Sequence, residues 1–265
     1  MTLRSPRLPV ALLFAIPFAA AQLCAQGVEY APGTSKFRVT TATTGSQTTP
    51  GGVTNFEVGV EERITVRLMK QAKDTVIATM TLDTIAIQSA GPQPDLSKLM
   101  GAKFVSLVSP TGMFYSVKAP DGLDPQLAQI TEGIGKFLPT FRANLVTGLS
   151  WSDTLSGKIT QMGMEIDRTS VSNYRVERDT TISGEKAFKI ARTLSTKGVG
   201  AGSMQGSAVT MEMAGNSNGA FFITPQGTYL GGTATDDVLI KFTVLAQNME
   251  ITIKQHGLTM TAPIQ

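Results

Sequence analysis

Cysteine is almost absent: Cys24 is the only one in the chain. That excludes an internal disulfide framework and thiolate zinc sites, which need several such residues. Histidine is as scarce. Any Ser/His/Asp arrangement would have to be built around His256, and no glycine-flanked nucleophile elbow precedes a helix. His256 is therefore read as a surface residue near a strand end, and no catalytic residue is assigned. Aromatics make up 6% of the chain, with Trp151 the single tryptophan. Nor is there an apolar run of the roughly 20 residues that a membrane-spanning helix needs. The longest candidate, Leu8 to Ala21, is interrupted by Pro9 and Pro17.

That short run has another reading. Arg4 and Arg7 give a basic start, the apolar stretch follows, and small residues come at Ala20, Ala21 and Ala25. This is the layout of a secretory signal peptide. Residues 1–25 are assigned to it, with cleavage after Ala25, or alternatively after Ala21. Lipid attachment to Cys24 would want a small residue just before it and an aliphatic one two further back, whereas Leu23 and Ala21 stand the wrong way round. Cleavage after Ala25 leaves a mature chain without cysteine and without a membrane anchor. The expected location is the periplasm, the outer membrane's surface or the exterior. Without Arg4 and Arg7 the basic and acidic residues nearly balance, which argues against nucleic acid or an anionic membrane surface as the main partner. No linker-like stretch divides residues 26–265, so one domain is expected.

Periodicity then gives the fold class. From Asn55 to Lys70, Phe56, Val58, Val60, Ile64, Val66 and Leu68 occupy alternate places, with charged residues and threonine between them. A repeat of two is a long strand with one dry face, interrupted by Glu62. After a polar turn at Gln71 to Asp74 the alternation resumes, then slips by one residue, which predicts a bulge near Asp83. Lys36 to Thr43 is expected beside this hairpin. Ser109-Pro110-Thr111-Gly112 and Thr224-Pro225-Gln226-Gly227 read as hairpin turns, since proline sets the first turn dihedral and glycine accepts the exit. Their recurrence suggests two related halves, about 35–120 and 150–262. Further strands are expected at Met164 to Arg178, Lys186 to Thr196, Ala208 to Met213, Val238 to Ala246 and Met249 to His256. Turns are expected at Ser183 to Glu185 and at Asn216 to Gly219, and Gly198 to Gly206 reads as a mobile loop. One helix is predicted over 124–138: Asp124 caps it, Pro125 suits its first turn, Leu127, Ile130, Ile134, Phe137 and Leu138 form its apolar stripe, and Pro139 ends it. The fold class is mainly β: a large curved antiparallel sheet or half-barrel with one inserted helix.

Other groupings point to little chemistry. Gly198, Gly200, Gly202 and Gly206 fail the dinucleotide and P-loop patterns. Glu61/Glu62 and Asp236/Asp237 are adjacent on strands, so each pair points to opposite faces and cannot readily chelate one ion. Met162/Met164 and Met211/Met213 put two thioethers on one face, a pattern suited to Cu(I), but methionine also fills cores and no histidine lies beside either pair. No metal and no cofactor is assigned.

The order of features, a long amphipathic hairpin from Phe56 to Ile87, the Phe104 to Val117 hairpin, an inserted helix, then Gly148-Leu149-Ser150-Trp151 and more hairpins, resembles exported bacterial proteins grouped as domains of unknown function. More distantly it resembles the periplasmic lipoprotein-carrier fold, whose curved antiparallel sheet holds a greasy concave face partly covered by helices. That resemblance implies a non-enzymatic cell-envelope protein binding a lipid or other hydrophobic ligand. The alternative is a structural or interaction protein with an envelope partner and no small ligand; a hydrolase ranks third. The expected pocket lining is Phe56, Val58, Val60, Ile64 and Val66 on the sheet, Leu127, Ile130, Ile134 and Phe137 on the helix, and Trp151.

Overall fold

Alternating apolar and polar residues with abundant threonine favour extended chain, and most of the described residues lie in strands. The computed structural model describes residues 27–90, 95–123, 127, 131, 133–161, 164–204 and 206–264. The proposed signal segment, Asp124, Pro125, Ile130 and Met162 lie outside the described residues. Among the described residues there are eleven strands: β1 (Gly33–Thr49), β2 (Gly52–Ala72), β3 (Thr75–Ser89), β4 (Lys103–Val108), β5 (Phe114–Lys118), β6 (Ser150–Gln161), β7 (Met164–Ile182), β8 (Glu185–Met204), β9 (Ser207–Ile223), β10 (Tyr229–Val244) and β11 (Met249–Ile264). They form one antiparallel sheet in the order β5-β4-β3-β2-β1-β11-β10-β9-β8-β7-β6. The sheet does not close, and β5 and β6 are its edges. Two meanders thus run outward from a central seam where β1 pairs with β11, from Lys36 opposite Ile264 to Thr48 opposite Thr252.

The expected turns are present. Gly112 N–H bonds the Ser109 carbonyl at 3.0 Å and Gly227 N–H bonds that of Thr224 at 2.9 Å, both glycines having φ near +85° (86° and 85°). Gly227 has a second reason to be glycine, because a Cβ there would collide with the Glu29 carbonyl. Ser183 and Gly184 also take positive φ between β7 and β8. The predicted slip at Asp83 is real: Arg63 pairs with Thr84, but Ile64 pairs with Leu82, leaving Asp83 as the extra residue.

Two expectations need correction. Gly198 to Gly206 is not a mobile loop: β8 runs through it to Met204. Asn216 to Gly219 is not a turn but the interior of β9. In both cases glycine and asparagine were read as chain reversals, although a long strand tolerates them where a close approach on one face demands a missing side chain. The helix predicted over 124–138 falls largely outside the described residues. Among those described, Leu127 is helical and its carbonyl accepts a bond from Thr131 N–H at 3.2 Å, and Ile134–Lys136 form a single 3₁₀ turn.

Candidate ligand-binding face

Residues paired directly across an antiparallel sheet share a face, so the register assigns every side chain to one side. Phe37 and Val39 of β1, Ile64 and Val66 of β2, Met80 and Leu82 of β3, Phe104 of β4, Val176 of β7, Ile190 of β8 and Phe221 of β9 all fall on the same, inner face. They are buried in one cluster. Its cover is the segment between β5 and β6, which supplies Leu127, Ile134, Leu138, Phe141 and Leu145, all buried.

The cover is tied down by backbone and side-chain bonds. Ser106, wholly buried on β4, donates its hydroxyl to the Gly135 carbonyl at 2.6 Å. Gly135 itself sits against Val117 so closely that any side chain there would collide. Tyr30 donates its hydroxyl to the Pro139 carbonyl at 2.7 Å and packs edge-on against Phe141 at 5.0 Å. Burial, with the charge of Tyr229 adding to it, holds the Tyr30 phenol well above its ordinary value, so it stays a donor. Phe137 meets Phe37 at 5.2 Å and Tyr229 at 5.8 Å, and burial pushes the Tyr229 phenol up to about 12.

The expected lining residues divide into two groups. Ile64, Val66, Leu127, Ile134, Phe137 and Trp151 come together in or against the covered cluster. Phe56, Val58 and Val60 lie on the same face of β2 but beyond the cover, half-buried, with Ile87 paired beside Val60 and Ile85 beside Glu62. Glu62, the interruption of the dry face, is on the inner wall too. Burial alone raises its carboxyl above the ordinary value of 4.5.

A second apolar cluster occupies the opposite end of the long strands. Met164, Ile166, Val209, Met211, Phe242 and Val244 are buried there, and Ile159, Met213, Ile240, Met249, Ile251 and Ile253 are half-buried around them. Here β8 contributes glycines. Gly198 pairs with Met213 and Gly200 with Met211 across β9, and a Cβ at Gly200 would lie 2.9 Å from both the Glu165 carbonyl and Ile166. The alternation of Met211 and Met213 signalled a shared face; the glycines that make room beneath it were read as a loop, so this cluster was missed.

The outer face carries the ionic groups. Arg38 pairs with Glu61 at 2.7 Å, while neighbouring Glu62 points inward. His256 Nδ1 lies 2.9 Å from Asp237 Oδ1, their side chains 58% and 71% exposed, beside an open hollow of about 1110 Å³ that Thr44, Glu57 and Lys254 also line. No cluster of three or more His, Cys, Asp or Glu that could hold a metal ion exists among the described residues. No helix among them is long and apolar enough to cross a membrane.

No protein-family model matches the chain, and no curated protein matches it. One solved structure, a proposed outer membrane lipoprotein-sorting protein domain from Vibrio parahaemolyticus, aligns over 82% of this chain and 83% of its own at 9% identity. Its TM-score is 0.17, too low for the likeness to bear on fold or function.

Proposed function

We propose that this is a non-enzymatic, exported protein that holds a hydrophobic ligand, most simply an acyl chain, along the inner face of its open sheet. The observation that carries this reading is that the apolar wall outruns its cover. The connecting segment seals the first cluster, with Ile85 packed against its edge, yet Phe56, Val58, Val60 and Ile87 continue the same wall half-buried and outside both clusters. Apolar side chains left half-buried on the face that carries the core, while the other face carries the ion pairs, fit a binding surface better than a finished core.

The energetics suit such a ligand. Each buried methylene contributes about 0.8 kcal/mol, so about 15 of them supply on the order of 12 kcal/mol before ordering costs. Export follows from the amino-terminal pattern of basic start, apolar run and small residues. Protein purified from its own envelope and subjected to lipid extraction and native mass spectrometry should yield a co-purifying acyl species. Val58→Asp, placed on the uncovered wall, should abolish that species while leaving the thermal melt nearly unchanged. Protein that is repeatedly empty would overturn the reading and favour a scaffold that meets partners through its unpaired edge strands.

A further inference from the structure

Among the described residues, two buried side-chain nitrogens have no hydrogen-bond partner: Trp151 Nε1 and Arg192 Nε. Both belong to one cross-strand row on the inner face. Trp151 of β6 pairs with Tyr174 of β7, Tyr174 pairs with Arg192 of β8, and Arg192 pairs with Gly219 of β9. The indole lies flat on the Tyr174 ring at 4.9 Å with an 8° interplanar angle, and Tyr174 meets Phe221 edge-on at 6.5 Å.

An indole N–H and a guanidinium can only donate. Leaving such a nitrogen unpaired away from water is costly, although Arg192 as a whole is only half-buried. Asp236 and Asp179 lie on this face by register, and no ion pair among the described residues joins either to Arg192. Asp153 is held by Arg142 at 3.0 Å, and the raised carboxyl of Glu62 has burial as its cause and no cation beside it. No hydrogen bond or ion pair among the described residues reaches Arg192. Its position is also particular. On its own strand Ile190 is buried in the covered cluster on one side, and half-buried Leu194 lies on the other, so the guanidinium stands at the border where the apolar wall turns polar. Gly219 beside it carries no side chain and lies close against the β10 backbone at Thr233 and Ala234.

We propose that Arg192, framed by Tyr174 and Trp151, receives the anionic head, a phosphate or carboxylate, of an amphiphile whose hydrocarbon lies along the inner wall. This rests on the hydrophobic-ligand reading and adds the ligand's polar end to it. The acceptor oxygens supply what both donors lack, and a guanidinium binds such groups in a forked geometry.

Trp151 is the only tryptophan, so its emission reports on this row alone. The full chain is titrated with decyl phosphate, with decanol and with inorganic phosphate. Decyl phosphate should saturate the emission change at a concentration about tenfold lower than decanol does, the margin expected of a charge-assisted contact, and inorganic phosphate should do nothing in that range. Arg192→Gln should bring decyl phosphate to the decanol value while decanol binding persists, which also shows that the variant is folded; Arg192→Lys should keep part of the preference. Equal binding of the two alkyl ligands by the unaltered protein, or a preference that survives Arg192→Gln, overturns the head-group assignment and leaves the hydrophobic reading standing. Inorganic phosphate as effective as decyl phosphate overturns the amphiphile in favour of a free-anion site. Failure of both alkyl ligands overturns the hydrophobic reading itself.

Discussion

The two apolar clusters of this protein are closed by different means. The first needs a separate piece of chain: Ile134, Leu138, Phe141 and Leu145 lie over Phe37, Ile64 and Leu82, and Ser106 and Tyr30 fasten them. Among the described residues the second has no such cover. Met164, Ile166, Met211 and Phe242 bury one another because Gly198 and Gly200 let neighbouring strands bring their side chains together over bare backbone. A lid can be lifted without unpairing any strand, whereas packing built into the ladder yields only if the ladder itself moves. The comparison therefore separates a part of the inner face closed by a connecting segment from a part closed by the strands themselves.

Three substitutions test that separation. Gly200→Val should have the largest effect, about 3 kcal/mol, since the new side chain must displace the Glu165 carbonyl and Ile166, neither of which is a flexible end. Urea unfolding measures the loss, and hydrogen exchange should place the early opening around Met164 and Met211 while the Phe37 region stays protected. Equal loosening of both ends would break the comparison. Ser106→Ala should cost less, about 2 kcal/mol, by stranding the buried Gly135 carbonyl. Its exchange should quicken in residues 133–149 and leave β7 to β9 unaffected. Glu62→Gln should be the smallest change and the most specific. The folded carboxyl binds its proton more tightly than the unfolded one, so the stability it lends is complete below 4.5 and is lost as pH rises through its raised value. Thermal melts from pH 4 to 8 should lose that downward contribution in Glu62→Gln, which should be as stable as the parent or more so at neutral pH.

The parts of the fold that were legible in the sequence are those whose physics is local. Alternation from Phe56 to Leu68 fixes the strand and its buried side, a phase slip fixes the extra residue at Asp83, and proline and glycine at set positions fix the turns after Ser109 and Thr224. The glycines of β8 and the asparagines of β9 misled because their meaning is tertiary. Gly200 is glycine on account of Ile166, more than thirty positions earlier in the chain, and no local pattern carries that dependence. The candidate face was legible in one half only. Phe56, Val58 and Val60 announce an apolar wall, but that Arg192 and Trp151 stand in one row follows from the pairing of three strands, which the sequence did not reveal.

The seam between β1 and β11 has a kinetic consequence. Thr41 and Thr259 touch hydroxyl to hydroxyl at 3.2 Å across 218 positions of chain, and every rung of that ladder spans a similar distance. Closing so large a loop is slow, and the two meanders stay separate until it is done. Until then β1 and β11 each expose an unsatisfied edge. A polypeptide that assembles in this order joins its two meanders only once β11, its last strand, can reach back to β1.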